Sequence, residues 1–309
     1  MNACGYGKVI LFGEQFVVYG IPAIASALDL KVEAKIADAS GGIYADDLLS
    51  GRKVTYKKDS APILDLMPTF LSQFNLTGEE HFYLKLKSTV PRCGGLGSSA
   101  ALVVAAARAF DEYLKTNLGD ERINQIAYEA EKYFHKTPSG VDNTVAAYGG
   151  LLWFQRNLAG GPNLMENLAL SQPVEIVLGN SGVSRDTGDI VAGVRERREK
   201  DPAKYAATFS KAESLVHEAK AALLEGNLNE VGLLMNDNHR LLQEIEVSSP
   251  ELDLLCKTAL ENGALGAKLT GAGGGGFMVA LTPGKKLQNK VAGAIEKTGY
   301  EAIGTKIGV

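Results

Sequence analysis

The strongest chemical signal in this 309-residue chain is PRCGGLGSSA at 91–100. Glycines let a backbone approach a ligand closely, amides at the start of a following helix point outward, and the positive end of the helix dipole favours an anion. Ser98 and Ser99 add hydroxyls that can cap that helix, bind phosphate or face a magnesium ion. A tight turn with a serine N-cap explains this segment alone equally well. No GxxxxGK[ST] occurs, which excludes a Walker A loop. Gly95, Gly97 and Ala100 match the GxGxxG/A dinucleotide fingerprint. That fold needs a second parallel strand after the helix, ending in an acid about 20 residues on, whereas here another helix is expected.

A second segment, EAEKYFHKTPSGVDN at 129–143, ends a helix and presents Asp142 after a Pro-Ser-Gly turn. Phosphoryl transfer to an alcohol needs an acid to hold Mg²⁺ and a group to orient or deprotonate the hydroxyl, tasks that Glu131 and Asp142 can divide. Each has a plainer reading: Asp142 as an acid at a helix N-terminus, Glu131 as a solvent-facing partner of His135 at i,i+4. The third segment, KLTGAGGGGF at 268–277, places five glycines in the six positions 271–276. Such a run weakens a sheet, so it calls for close approach of a backbone or ligand; a flexible hairpin accounts for one or two of them.

The elements that position these segments follow from hydrophobic period and breakers. Strands are expected at 8–12, 31–36, 53–57 and 81–87, with a helix at 63–74. Two Ala-rich or amphipathic helices begin at 98 and 121, a short third runs from about 140 into Gly149-Gly150, and a strand follows at 151–155. The Gly, Pro and Asn-rich stretch 157–167 reads as a linker or surface loop, and the boundary is placed near 170, giving domains 1–170 and 171–309. The second half reads as a strand at 174–178, helices at 189–198, 202–224, 228–244 and 250–261, strands at 267–269 and 277–281, a helix at 286–297 and a last strand. Strict βαβ alternation is missing, so the fold class is α+β.

Composition narrows the partners. With 32 basic and 36 acidic residues and a formal charge of −4, no single-sign block is available for nucleic acid or an anionic membrane. The run RERREK at 195–200 interleaves its signs and reads as a solvated helix face. Cys4, Cys93 and Cys256 have neither disulfide-framework nor zinc spacing, which indicates a reducing compartment. No signal peptide or membrane-length apolar run is visible, so a cytoplasmic location is expected.

In order, the three segments resemble the three motifs of the GHMP kinases, from Gly5 to about Phe277. Within that family, GKVILFGEQFVVYG at 7–20, HKTPSGVDNTVAAYGG at 135–150, SRDTGDIVAGVR at 184–195 and LMNDNHRLL at 234–242 are similar to members acting on mevalonate. The resemblance implies a two-domain GHMP kinase fold, with a ribosomal S5-like N-terminal domain and a ferredoxin-like C-terminal domain. It implies that ATP is the donor and Mg²⁺ the cofactor, and that the acceptor is mevalonate, phosphorylated at its 5-hydroxyl. By carry-over, Gly94, Gly95, Leu96, Gly97, Ser98 and Ser99 cradle the triphosphate, Ser99 and Glu131 bind Mg²⁺, and Asp142 is the base, with Lys8 beside it. Lys8, Glu14, Gln15, Asp142 and Thr187 serve the acceptor, and Gly271, Gly273, Gly274 and Gly275 support the phosphate loop.

Two positions depart from the pattern. Position 15 is Gln where the mevalonate-specific members usually carry His, and position 6 is Tyr where many members have Pro. Gln15 replaces a group that can be charged by one that is always neutral. Another small hydroxy compound (phosphomevalonate, homoserine or a sugar) remains an alternative acceptor, and a non-catalytic sensor on the same fold remains a different class of answer. The partners expected are ATP and a small molecule, with a homodimer allowed.

Overall fold

The computed structural model describes residues 3–91, 95–134 and 140–309. These fall into two compact units that interleave along the chain. One takes 3–7, 30–91, 97–134 and 140–149; the other takes 8–29, 95–96 and 150–309. The expected boundary near 170 divides the chain in sequence order, whereas this grouping returns two early segments to the second unit.

The first unit contains the end of β2 (Ala23–Asp38), which follows β1 (Cys4–Phe12), together with β3 (Ile43–Asp47), β4 (Arg52–Thr55) and β5 (Phe82–Ser88). Residues 32–38 of β2 pair antiparallel with β5, and β3 runs parallel to β5 and antiparallel to β4. The helix expected at 63–74 is divided into α1 (Pro62–Asp65) and α2 (Met67–Gln73). Pro68 has no N–H for an unbroken helix, so it sits in the first turn of a new one.

Next come α3 (Ser98–Leu114), α4 (Asp120–Phe134) and α5 (Val141–Tyr148), which pack on one another. Most of α3 is buried, as an Ala- and Val-rich helix without a polar stripe should be. At its far end Phe110 gathers Phe70, Phe74 and Phe82, with ring centroids 5.4, 5.3 and 5.3 Å away. At its near end β1 comes so close that a Cβ at Gly5 would lie 2.2 Å from the Ala101 carbonyl oxygen.

The second unit holds residues 23–29 of β2 and β6 (Leu151–Gln155), β7 (Leu164–Leu168) and β8 (Val174–Asn180). Four helices follow: α6 (Thr187–Lys200), α7 (Pro202–Leu224), α8 (Leu228–Glu244) and α9 (Pro250–Glu261). The chain ends with β9 (Gly266–Leu269), β10 (Phe277–Leu281), α10 (Lys285–Lys297) and β11 (Glu301–Ile307). In this unit the strand order is β2-β11-β8-β10-β9, antiparallel throughout. β6 pairs with β2 on one side and β7 on the other, so the stretch read as a linker contains a strand.

Asp186, Asp201, Asn227 and Ser249 cap the starts of α6 to α9 with side-chain hydrogen bonds. α8 lies directly on β9, where a Cβ at Gly266 would meet the Gly232 carbonyl oxygen at 2.2 Å. Among the described residues, no helix is long and apolar enough to cross a membrane.

Candidate active site

The described part of the glycine–serine loop turns on glycines and feeds a helix. Gly95 and Gly97 have φ of +77° and +70°, left-handed values that a side chain resists. Gly97 is the N-cap of α3, so the serine expected as the cap lies inside the first turn instead. A glycine N-cap offers no side chain to the first-turn amides, which keeps them available to an anion. Leu96 is buried, and its carbonyl accepts from the Lys8 amide at 2.9 Å, which fixes the loop to β1. Gly94 lies outside the described residues.

The glycine run between β9 and β10 is packed, not loose. Gly271 and Gly95 face each other, and a Cβ at Gly271 would stand 3.8 Å from the Gly95 carbonyl oxygen. Gly271, Gly273, Gly274, Gly275 and Gly276 all have positive φ. A Cβ at Gly273 would reach 2.1 Å from the Val247 carbonyl oxygen, at Gly274 2.6 Å from Ile190 Cδ1, and at Gly275 2.4 Å from the Val183 carbonyl oxygen. The Gly274 amide donates to Val247 O at 2.7 Å and the Gly276 amide to Val183 O at 2.8 Å. The flexible-hairpin reading therefore fails.

The acceptor-side candidates of the second unit divide between interior and surface. Lys8, Glu14 and Gln15 are buried. Glu14 pairs with Lys268, and Gln15 donates from Nε2 to the Ala272 carbonyl at 2.6 Å, so the turn after β1 is tied to the glycine run. Thr187 is exposed at the first position of α6, behind the Asp186 cap. Beside it a cavity of about 410 Å³ is lined by Arg185, Asp186, Asp189, Ile190 and Arg197, among others.

In the first unit, helix packing sets the acids. Glu131 on α4 is only 2 % exposed, which overturns its reading as a solvent-facing residue; His135, its suggested partner, is outside the described residues. Asp142 stands half-buried in the first turn of α5, after Gly140 with φ +90°. Three polar contacts hold that turn: Asn143 Nδ2 donates to Asn124 Oδ1 at 2.6 Å, Thr144 Oγ1 to Gly140 O at 2.6 Å, and Asn124 Nδ2 to Thr144 Oγ1 at 3.4 Å. Arg108 on α3 binds Cys4 O at 2.7 Å, Ala147 O at 2.6 Å and the Asp120 carboxylate, locking α3, α4 and α5 together.

Sequence reasoning missed Arg108, Asn124, Asn143, Asn238, Lys268 and Thr270. Asn143, Asn238, Lys268 and Thr270 sit inside quoted segments, so position was the signal available for them; Arg108 and Asn124 lie outside those segments. Cys256 is buried, which pushes its thiol pKa up and leaves it a packing residue.

A serine hydroxyl at a helix start and one buried carboxylate suit Mg²⁺, which takes hard oxygen ligands, keeps several waters and shares the rest with phosphate. Ser99 on α3 and Glu131 on α4 are groups of these two kinds, on helices that pack together. Among the described residues no group of three or more His, Cys, Asp or Glu side chains could hold a metal by themselves.

Comparison with known proteins gives the chain its class. The model for the GHMP kinases N-terminal domain matches residues 65–150, and that for the GHMP kinases C-terminal domain matches residues 219–301. The chain belongs to the GHMP kinase family. It is 36% identical to mevalonate kinase of Pyrococcus abyssi, over 97% of this chain and 93% of that protein. With mevalonate kinase of Methanothermobacter thermautotrophicus it shares 33% identity, over 92% and 90%. Its fold matches the crystal structure of L. major mevalonate kinase in complex with R-mevalonate with a TM-score of 0.90, at 30% identity, covering 99% and 95% of the two chains.

Proposed function

We propose that this protein transfers the γ-phosphoryl group of ATP to the 5-hydroxyl of mevalonate. The observation that carries this reading is its likeness, over almost the whole chain, to mevalonate kinases in both sequence and fold. The site geometry supports the transfer chemistry. The amides after Gly95 and Gly97 bind the phosphates, with Gly271 behind Gly95 limiting how far the loop can retreat. Ser99 and Glu131 would hold Mg²⁺, which when bound neutralises charge on the phosphates.

Asp142 accepts the proton of the 5-hydroxyl as that oxygen bonds to the γ-phosphorus and the bond to the ADP oxygen breaks. Lys8 would bring positive charge to the acceptor side as charge develops on the attacking oxygen. Glu14, Gln15 and Thr187 orient the acceptor. A neutral Gln15 in place of His favours one second reading, a different small hydroxy acceptor.

An ADP-release assay with Mg-ATP against mevalonate, phosphomevalonate, homoserine and sugars tests both. Mevalonate is expected to dominate kcat/KM. A stronger response to another acceptor replaces the substrate, and silence with all of them while ATP binds makes the protein a sensor.

A further inference from the structure

Lys268 on β9 is completely shielded from solvent, and so is the Glu14 side chain with which it forms an ion pair. The ammonium also donates to Leu269 O at 2.6 Å, and the second carboxylate oxygen of Glu14 accepts from Asn238 Nδ2 at 2.9 Å. Burial pushes the Lys268 pKa down, and the Glu14 charge opposes that shift. A buried ion pair is a poor source of stability, since apolar residues of similar volume often serve as well or better. Its retention here calls for a positional role.

The surrounding contacts show what it positions. Thr270 Oγ1 donates to Ile10 O at 3.0 Å and accepts from Ile10 N at 3.1 Å. Gln15 Nε2 donates to Ala272 O at 2.6 Å. Residues 268, 270 and 272 thus grip residues 14, 10 and 15, clasping the turn after β1 to the start of the glycine run. Because the Gln15 amide nitrogen is committed to Ala272, its Oε1 is left as a buried acceptor with no hydrogen-bond partner among the described residues.

We infer that Lys268 is a positioning residue for the acceptor: through Glu14 it holds the turn so that Gln15 Oε1 faces a donor hydroxyl of the substrate. This rests on the reading that Glu14 and Gln15 serve the acceptor. It does not depend on which hydroxy compound that is.

The test compares wild type, Lys268→Met and the neutral pair Glu14→Gln/Lys268→Met, using Tm, the two KM values and hydrogen exchange of the segment 270–276. Lys268→Met should raise the acceptor KM at least tenfold with the ATP KM within about threefold, and should speed exchange of that segment. The neutral pair should recover Tm but not the acceptor KM. If Lys268→Met fails to fold, Glu14→Gln beside the neutral pair decides: acting through Glu14, Lys268 adds nothing once Glu14 is neutral, so the two share one raised acceptor KM, and a wild-type acceptor KM in both overturns the inference. A purely structural Lys268 predicts that the acceptor and ATP KM values of Lys268→Met rise together, in step with its fall in Tm, which also overturns it. Should wild type phosphorylate none of the compounds, the proposed function has failed separately, and exchange of 270–276 judges the clasp; unchanged exchange in the neutral pair refutes it.

Discussion

Glu131 and Asp142 are placed by helices that polar side chains lock together, whereas the glycine run is placed by backbone packed on backbone. In the first arrangement the proposed reactive group is a side chain, and an isosteric replacement can remove chemistry while leaving the fold. In the second the proposed functional element is the main chain itself, so any added Cβ disturbs position and packing at once. The two regions should therefore respond to mutation in opposite ways: binding and chemistry separate in one and collapse together in the other.

Gly273→Val should have the largest effect. Its Cβ would overlap the Val247 carbonyl oxygen, and a β-branched residue resists φ +86°. We expect kcat/KM to fall by more than about 10³, about 4 kcal/mol, with a lower Tm. Steady-state kinetics beside a thermal melt checks this, and wild-type kcat/KM would show the run to be a mere connector.

Ser99→Ala and Glu131→Gln sharpen the contrast, because each removes one oxygen that the proposed site offers to the metal. The Mg²⁺ concentration for half-maximal rate should rise about tenfold or more in both, equivalent to about 1.4 kcal/mol, with circular dichroism unchanged. An unaltered Mg²⁺ titration removes that residue from the metal site.

Asn124→Ala probes the framework behind the acids. It leaves the Asn143 amide nitrogen without the Asn124 oxygen it donates to, at a cost of about 1–3 kcal/mol. A chemical-denaturation curve should shift accordingly, with the ATP KM nearly constant. A Tm equal to wild type would mean that α5 is held by packing alone.

The smallest effect is expected of Gln15→His. Both groups can donate one hydrogen bond and accept another, so activity on mevalonate should stay within about tenfold. Mevalonate activity that appears only in the His variant would move the natural substrate elsewhere.

What the sequence revealed follows the same division. The starts of α7, α8 and α9 were legible because Asp201, Asn227 and Ser249 are side-chain caps, and proline opens α7 and α9. The glycine segments stood out because several glycines together have few other uses. Missed were the first half of β2, where AIASAL is buried on both faces and shows no alternation, and β3, whose Asp46 and Asp47 argue against a strand.

The burial of Glu131 was hidden because a glutamate on an amphipathic helix normally faces water. The Lys268–Glu14 pair joins positions 254 residues apart, a separation no local pattern encodes. Motifs are local and readable, while the contacts that aim them are tertiary.

Asp142→Asn tests the account most directly, because it keeps size and hydrogen-bonding shape while removing the proton acceptor. The measurement is kcat with mevalonate and ATP affinity, side by side, on protein shown by its melt to be folded. The account predicts a kcat lower by about 10² to 10⁴, with ATP affinity essentially unchanged. An unchanged kcat, or a loss of activity that merely follows a loss of about 0.3–1 kcal/mol in stability, would contradict it and return Asp142 to the role of a helix N-terminal charge.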